Sequence, residues 1–308
     1  MKALVTGGAG FIGSHVVDRC LAAGHDVAVV DDLSSGRREF VNPRARLYAV
    51  DIRSPEVTEV FETERPEVMF HLAAQAEVRR SVADPLFDVQ VNVAGSVNLL
   101  EHCRKLGVTR VIYSSTGGAV YGDTTVLPTP EGHPTRPASP YGTSKLAVEH
   151  YLTCWETLYG IRPIALRYAN VYGPRQNPLG EAGVVAIFSH RILRGEPAVI
   201  NGDGEQTRDY VYVEDVARAN LLALDHPNVT GALNVGTEIE TSVNDLFKRL
   251  VTAAGVSAES RNAPPKAGEQ RRSVLDPGAA KRLLGWVHQV SLDEGLRRTV
   301  EYFRRNPQ

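Results

Sequence analysis

The sequence predicts an α/β fold: a doubly wound parallel sheet followed by a smaller C-terminal α/β lobe. As far as Tyr168, short runs of β-branched and apolar residues alternate with longer stretches of helical periodicity. The short runs are continuously apolar, which is typical of strands that a parallel sheet buries on both faces. A chain of 308 residues is long enough to enclose a sheet of this kind between two helical layers.

The elements follow one another in a strand–helix rhythm. The predicted strands are Ala3–Thr6, His25–Asp31, Arg46–Asp51, Glu67–Ala73, Arg110–Ser115 and Arg162–Tyr168. The clearest predicted helices are Phe11–Ala23, Val89–Leu106 and Ser144–Tyr159. Beyond Gly173, prolines and glycines interrupt the pattern. We therefore expect a first domain over 1–174, joined by returning segments near 210–236, and a second lobe over 175–308.

Composition excludes several classes of function. The formal net charge of −2 gives no basic excess for nucleic acid or an anionic membrane, and no run reaches the roughly 18 apolar residues of a membrane span. The start of the chain lacks the apolar core of a signal peptide. The three cysteines, Cys20, Cys103 and Cys154, are far apart, and the histidines show no metal-ligand spacing. We expect a cytoplasmic protein without a metal site.

A glycine motif opens the first predicted helix. Gly7, Gly10 and Gly13 follow the first strand with the spacing G-x-x-G-x-x-G. Glycines at such a junction allow a tight turn and a close approach of backbone to a pyrophosphate, which the helix N-terminus attracts. The alternative, an ordinary glycine turn, is weakened by the position of the motif at a strand-to-helix junction. The motif favours a Rossmann-type nucleotide-binding sheet.

Carboxylates at the ends of the next strands indicate which dinucleotide binds. Asp31 and Asp32 end the second strand, at the distance expected for a carboxylate that binds the adenosine ribose. A carboxylate accepts a hydrogen bond from the ribose 2′-hydroxyl and repels a 2′-phosphate, so NAD is favoured over NADP. Asp51 and Ile52, after the third strand, are candidates to flank the adenine, although an ordinary polar strand end explains them equally well.

The segment "SPYGTSKLAVEHY" contains the strongest catalytic candidates. Tyr141 and Lys145 are four residues apart and therefore neighbours on one helical face. A nearby ammonium and the positive nicotinamide ring would lower the pKa of the phenol and make it a base. The alternative is a solvated lysine beside a half-buried ring. The hydroxyls of Ser114, Ser115 and Thr116, at the end of a predicted strand, favour the catalytic interpretation.

Six motifs together carry a resemblance to a known family. "TGGAGFIGSH", "DDLSSG", "HLAAQAEVRRSV", "SSTGGAVYG", "YGTSK" and "RYANVYGPRQ" occur in this order along nearly the whole chain. The sequence resembles the extended short-chain dehydrogenase/reductase family, and within it the UDP-glucose (UDP-galactose) 4-epimerases. This resemblance implies an NAD-dependent enzyme that acts on a UDP-sugar.

The resemblance also implies roles for individual residues. Tyr141 would be the catalytic acid/base, Lys145 would bind the nicotinamide ribose, and Thr116 would supply the catalytic hydroxyl. Because the loop after Thr116 has one residue more than the family's common form, Ser115 is the alternative hydroxyl. Further residues implied at the NAD site are Phe11, Ile12, Leu72, Ala73, Ala74, Asn92, Ser114 and Tyr168. Those implied at the UDP-sugar are Asn170, Arg208, Lys266 and Ser273.

The implied reaction is 4-epimerisation of a UDP-hexose through a transient 4-keto sugar. Related dehydratases carry an acidic residue where this chain has Gly117, Gly118 and Ala119, so dehydration is disfavoured. The small side chain of Ser273 leaves UDP-N-acetylglucosamine as an alternative substrate. Epimerisation of UDP-glucuronate, reduction of a dTDP-sugar, and NAD binding without catalysis also stay open. As in the family, we expect a homodimer through the two long helices, although a buried helix has the same pattern.

Overall fold

The computed structural model describes residues 1–179, 183–265 and 270–307. The strands are β1 (Lys2–Thr6), β2 (Asp26–Val30), β3 (Arg46–Tyr48), β4 (Val68–His71), β5 (Arg110–Thr116), β6 (Arg162–Tyr168), β7 (Asn170–Tyr172), β8 (Ala198–Asn201), β9 (Thr207–Tyr212), β10 (Gly231–Val235), β11 (Glu240–Ser242), β12 (Ser260–Ala263) and β13 (Arg272–Ser273). The helices are α1 (Phe11–Ala22), α2 (Val57–Glu64), α3 (Val78–Ala83), α4 (Pro85–Val89), α5 (Gly95–Leu106), α6 (Gly117–Val120), α7 (Pro140–Tyr159), α8 (Val184–Leu193), α9 (Val213–Asp225), α10 (Val243–Ala254), α11 (Gly278–Leu284) and α12 (Leu292–Arg305).

The largest sheet of the described residues has seven strands in the order β10-β6-β5-β4-β1-β2-β3, and all its pairings are parallel. The chain moves outward from β1 to β3, then returns to the other side of β1 with β4, β5 and β6. The strand order therefore reverses beside β1, and in open α/β sheets ligands bind at the carboxyl edge of such a point. The predicted doubly wound, Rossmann-type sheet is confirmed.

Two hydrophobic cores cover the faces of this sheet. On one face, Val17 of α1 and Val216 of α9 belong to the same buried cluster. On the other face, Val60, Leu99 and Val148 bring α2, α5 and α7 together. Because side chains buried on both faces need apolar residues at every position, the strands have the continuous hydrophobic runs that the sequence shows.

Two predicted helices differ from the observed ones. The helix predicted from Ser144 begins at Pro140, because Ser139 caps it by accepting a hydrogen bond from the Gly142 N–H at 3.1 Å. The helix predicted over Val89–Leu106 consists of the end of α4, a π-helical turn over Gln90–Ala94, and α5. Turns of this type are frequent at functional sites.

The second half of the chain builds a smaller α/β lobe and also returns to the first core. Strands β7, β9, β11 and β13 form a second sheet, and β8 pairs with β12. A third core, which includes Phe188, Leu246 and Leu296, lies under these strands. The strand β10 and the helix α9 join the first unit.

A segment near the end of the chain also packs against the first unit, which was not expected from the sequence. Helix α11 and Trp286 also belong to the core on the α1 side of the large sheet. The Trp286 indole N–H donates to the Asp215 carbonyl at 2.9 Å, and the Asp215 carboxylate accepts from the N–H groups of Gln289 and Val290. None of the described helices is both long and apolar enough to span a bilayer.

Candidate active site

The glycine motif forms a close contact between β1, α1 and the loop after β4. Gly7 has a φ of +71°, and a methyl group there would lie 2.6 Å from the Ala73 nitrogen. A methyl group on Gly13 would lie 2.0 Å from the Gly7 carbonyl oxygen. Neither position can hold a larger residue, so the N-terminus of α1 stays open to a ligand that approaches over Gly10. Phe11 and Ile12, which the resemblance places at the NAD site, form the first turn of this helix.

Asp31 ties the end of β2 to the glycine loop. Its two carboxylate oxygens accept hydrogen bonds from the N–H groups of Ala9 and Leu33, each at 2.9 Å. Burial raises the pKa of Asp31, and these two donors act against that rise. Each carboxylate oxygen can accept a second hydrogen bond, as a ribose hydroxyl requires. The neighbouring Asp32 is exposed and accepts from Ser34, so Asp31 is the better placed of the two carboxylates.

The candidates after β3 divide into one polar and one apolar residue. Asp51 forms an ion pair with Arg53 at 2.5 Å, and this guanidinium lowers the pKa of Asp51. Ile52 is buried against Gly95, where a methyl group would lie 2.7 Å from the Ile52 Cδ1. Ile52 is thus fixed at the carboxyl edge of the sheet, whereas Asp51 already has a charged partner.

A buried carboxylate organises the loop after β4, which contains the candidates Leu72, Ala73 and Ala74. Asp88 has no exposed surface and accepts hydrogen bonds from Gln75, Asn92 and Ser144. Both hydrogens of the Asn92 amide are engaged, because the amide nitrogen also donates to the Gln75 carbonyl, and the amide oxygen accepts from the Gln75 N–H. The structure therefore gives Asn92, on the π-helical turn, the task of fixing this loop. The sequence pattern had given Asp88 no role.

Tyr141 lies in the first turn of α7, on the carboxyl side of the large sheet. Its backbone N–H donates to the Ser81 hydroxyl at 3.1 Å, which attaches this turn to α3. Gly142 lies against α6, since a methyl group there would approach the Ala119 carbonyl oxygen to 2.8 Å. The helix that carries Tyr141 is thus held on two sides.

Lys145 is buried one turn after Tyr141. Its ammonium donates to the Ser114 carbonyl at 2.8 Å and lies 4.8 Å from the centre of the Tyr113 ring. Burial lowers the pKa of Lys145 to about 8, while the carboxylates of Asp88 and Glu149 favour its charged form. The ammonium lies 6.0 Å from the centre of the Tyr141 ring, so the two predicted partners are neighbours.

Burial dominates the pKa of Tyr141 among the protein's own groups, whereas the expected activation depends on Lys145 together with the positive nicotinamide ring. Burial raises the pKa of Tyr141 above its usual range, and the negative charge of Asp88 adds to the rise. The Lys145 ammonium is directed to the Ser114 carbonyl instead of the phenol, so it does not offset this effect. Without a further positive charge, Tyr141 keeps its proton at neutral pH.

The two hydroxyl candidates have different surroundings. Ser115 is 3% exposed, and its hydroxyl donates to the buried Glu149 carboxylate at 2.5 Å. Glu149 in turn forms an ion pair with Arg167 at 2.6 Å. Thr116 is half-buried, and its hydroxyl lies near Gly118, where a methyl group would come within 3.9 Å of it. The alternative role for Ser115 is therefore not supported, and Thr116 is the accessible hydroxyl.

Tyr168 and Ser114, the two remaining candidates for cofactor binding, contact each other. The Tyr168 hydroxyl accepts a hydrogen bond from Asn220 at 2.8 Å and is also bonded to Ser114. Tyr168 is buried, and burial raises its pKa. Since Ser114 carries the carbonyl that Lys145 binds, this contact helps to fix the end of β5.

Three of the four UDP-sugar candidates share one face of the second sheet. Arg208 on β9 lies opposite Ser273 on β13, and Tyr210, two residues further along β9, lies opposite Asn170 on β7. Residues two apart on a strand project to the same face, so Asn170, Arg208 and Ser273 face one side together. The fourth candidate, Lys266, lies outside the described residues.

A cleft of about 460 Å³ opens in the second lobe, and the sequence did not reveal it. Its walls include Asn201, Gln206, Pro265 and Arg271. These residues come from strand ends and loops that are far apart in sequence, so no local motif marks them. No three His, Cys, Asp or Glu side chains among the described residues form a group that could hold a metal ion.

The carboxyl edge therefore brings together a glycine turn, the buried Asp31 carboxylate and the Thr116–Tyr141–Lys145 group. The model of the NAD dependent epimerase/dehydratase family matches residues 3–236, which include all of these features. The chain belongs to this family. The predicted resemblance to extended short-chain dehydrogenases/reductases and the NAD cofactor are thereby confirmed.

Individual relatives of this epimerase-family protein cover its whole length. The UDP-glucose 4-epimerase of Mycolicibacterium smegmatis is 48% identical over 313 residues, with all of both chains covered. Two solved structures are also similar. The UDP-glucose 4-epimerase of Thermotoga maritima with UDP-glucose is 52% identical, with a TM-score of 0.98 and all of both chains covered. That of Thermus thermophilus with NAD is 47% identical, with a TM-score of 0.95, and covers 99% of this chain and 100% of its own.

Proposed function

We propose that this protein is a UDP-glucose 4-epimerase that interconverts UDP-glucose and UDP-galactose. The observation that carries the proposal is the placement of Tyr141, Lys145 and Thr116 at the carboxyl edge of an NAD-type sheet. The three full-length relatives are all named for this activity, and the competing reactions of UDP-glucuronate and dTDP-sugars are not favoured. A protein that only binds NAD would need the glycine turn alone.

The residues of the large sheet fit the cofactor. The open helix N-terminus over Gly10 suits the pyrophosphate, and the Asp31 carboxylate suits the adenosine ribose. Lys145 would hold the nicotinamide ribose. Bound NAD would supply the acceptor for the hydride that leaves C4 of the sugar and the donor for its return.

Each side chain then has a defined task. The Tyr141 oxygen takes the proton of the C4 hydroxyl as the 4-keto sugar forms, and it gives the proton back after the sugar has turned. The Thr116 hydroxyl forms a hydrogen bond with the C4 oxygen of the sugar. Arg208 and Asn170 hold the diphosphate, which keeps the intermediate bound while its sugar changes face.

The raised pKa of Tyr141 has a consequence for this scheme. A neutral phenol is a proton donor, so the protein by itself holds Tyr141 in the form that protonates the ketone. Removal of a proton needs a phenolate, and the positive charge that bound NAD would supply favours that form. The same residue can thus serve both directions of a reversible reaction.

The test uses purified protein without added coenzyme. UDP-galactose and UDP-N-acetylgalactosamine are incubated separately with the protein, and the products are identified by chromatography. Conversion of UDP-galactose to UDP-glucose is the expected result, with NAD recovered from the denatured protein. If neither sugar is converted although NAD is present, the proposal is wrong. Conversion of the N-acetylated sugar alone would assign a different substrate.

We also propose that the protein is a homodimer of the cytoplasm. On the outer face of α7, Trp155 contacts the rings of Tyr151 and Tyr159, and Leu158 nearby is 65% exposed. An exposed apolar stripe of this kind suits a two-fold helix interface. Sedimentation should give a dimer for the wild type and a monomer for Leu158→Glu. The described cysteines are free, as a reducing compartment allows.

A further inference from the structure

Gly118 is a glycine that neither the backbone nor the packing requires. It lies in α6, and its φ is outside the left-handed range. A methyl group at this position would meet only two atoms within 4 Å, the Thr116 Oγ1 and the Asn170 Oδ1, each at 3.9 Å. Contacts of that length are ordinary, and alanine forms helix more readily than glycine. Stability alone would therefore favour a larger residue here.

The preceding residue, Gly117, is by contrast required by the packing. A methyl group on Gly117 would lie 2.4 Å from the Leu275 Cδ1. Leu275 is buried, and its N–H donates to Asp209, so it cannot move away easily. Gly117 is explained by this contact, and Gly118 is not.

The space above Gly118 lies between candidate reaction groups. Thr116 and Gly118 are half-buried, and Asn170 is exposed, so all three can meet a ligand. The contact between Gly142 and Ala119 places the first turn of α7, with Tyr141, next to α6. A ligand held by the Thr116 hydroxyl and the Asn170 amide must pass over position 118.

We infer that Gly118 is a specificity-determining position, which leaves free the space where the hexose ring lies and turns. This inference rests on the proposed epimerase function, because a sugar that presents both faces of C4 needs more room than one bound in a single pose. A side chain at 118 would project into that room, between the Thr116 hydroxyl and the Asn170 amide. The occupant is the hexose ring of a nucleoside diphosphate sugar.

The experiment compares Gly118→Ala and Gly118→Val with the wild type and with Gly132→Ala. Gly132 is exposed, and a methyl group there meets nothing within 4 Å, so this variant is a matched control. Calorimetry measures the binding of UDP and of UDP-glucose, turnover is followed with UDP-galactose, and thermal unfolding reports the fold. We expect kcat/KM to fall about tenfold for alanine and by about 100-fold or more for valine. UDP binding by Gly118→Ala should match the wild type, and its Tm should be equal to or above that of the wild type.

Two results would overturn the inference. The first is that Gly118→Val has the same turnover and the same affinity for UDP-glucose as the wild type. The second is that Gly118→Ala loses affinity for UDP and for UDP-glucose to the same extent and has a lower Tm. This result would show that Gly118 has a structural role. If the wild type converts no sugar, the proposed function fails. The difference between UDP and UDP-glucose affinity still tests position 118 in that case.

Discussion

The carboxyl edge of the large sheet and the cleft of the second lobe hold their charged groups in opposite ways. At the sheet edge, Asp88 has no exposed surface, and the side chains of Glu149 and Arg167 are 8% and 7% exposed. In the second lobe, Asp203 and Arg271 pair at 2.7 Å with side chains 58% and 61% exposed. Both ion pairs have good geometry, but only the Glu149–Arg167 pair is kept away from water.

This difference indicates what each region contributes. A buried charge stays fixed, because any movement would break hydrogen bonds that water cannot replace. An exposed ion pair exchanges its partner for water at little cost. The groups that perform chemistry thus rest on a rigid support, while the lobe that would hold the nucleotide relies on contacts that its ligand can replace.

The largest effect on turnover is expected from removal of the Tyr141 phenol oxygen at the carboxyl edge of the large sheet. Tyr141→Phe should reduce kcat for UDP-galactose by about 10³-fold, because no other group at the site replaces its proton transfer. The binding of UDP should be unchanged. Tyr302→Phe, on α12 and outside the proposed site and interface, is the control and should keep wild-type turnover. Near-normal turnover by Tyr141→Phe would refute the assignment.

The contrast in burial can be measured directly with one substitution in each region. Glu149→Gln leaves Arg167 charged and without its ion-pair partner, and should lower the free energy of unfolding by about 3–5 kcal/mol. Asp203→Asn removes an exposed charge and should leave the urea midpoint unchanged. Unfolding in urea, followed by circular dichroism, gives both values.

Equal losses of stability in Glu149→Gln and Asp203→Asn would contradict the proposed difference between buried and exposed ion pairs. The Glu149 variant has a second readout, since Ser115 would keep a hydrogen-bond acceptor in glutamine. A Glu149→Ala variant removes that acceptor as well, and should unfold at lower urea than Glu149→Gln. If alanine and glutamine are alike, the charge dominates at this site.

The smallest effect, taken per pH unit, is the loss of stability in acid. Burial, assisted by the charge of Lys145, lowers the pKa of His71 to about 3. The unfolded chain takes up this proton below about pH 6.5, whereas the folded protein does not. The contribution to stability is therefore present above pH 6.5 and is lost as the pH falls toward 3, by at most about 1.4 kcal/mol per pH unit.

Urea unfolding between pH 7 and pH 4.5 tests this expectation. His71→Asn should flatten the loss of stability toward acid, while His150→Asn, an exposed position on α7, should retain it. Burial also lowers the pKa of His15, to about 4, so some acid sensitivity should remain in the His71 variant. An unchanged slope for His71→Asn would show that this imidazole takes up no proton on unfolding.

Local sequence patterns were sufficient for the large sheet and for most of its edge. Continuous apolar strands predict burial on both faces, and the glycine spacing predicts a turn that only glycine can form. Tyr141 and Lys145 could be paired because helical spacing alone makes them neighbours. These features depend on residues close together in the chain, so their geometry follows from local rules.

Features that depend on distant residues were not predictable in the same way. The direction of the Ser115 hydroxyl is set by Glu149 on another element, and the pKa of Tyr141 by its burial and by Asp88. The cleft of the second lobe combines Asn201 with Arg271, and the common face of Asn170, Arg208 and Ser273 depends on strand register. None of these arrangements has a local signature, since each is decided by tertiary packing.

The contact between Trp286 and the core on the α1 side has a consequence for biosynthesis. A nascent chain that has left the ribosome only as far as the end of α9 lacks both β10 and the indole that closes this core. Its first unit would lack the side chains of α11 and Trp286 that pack into this core next to α9 until the last tenth of the polypeptide is made. Premature termination should therefore yield an insoluble fragment instead of an independent nucleotide-binding module.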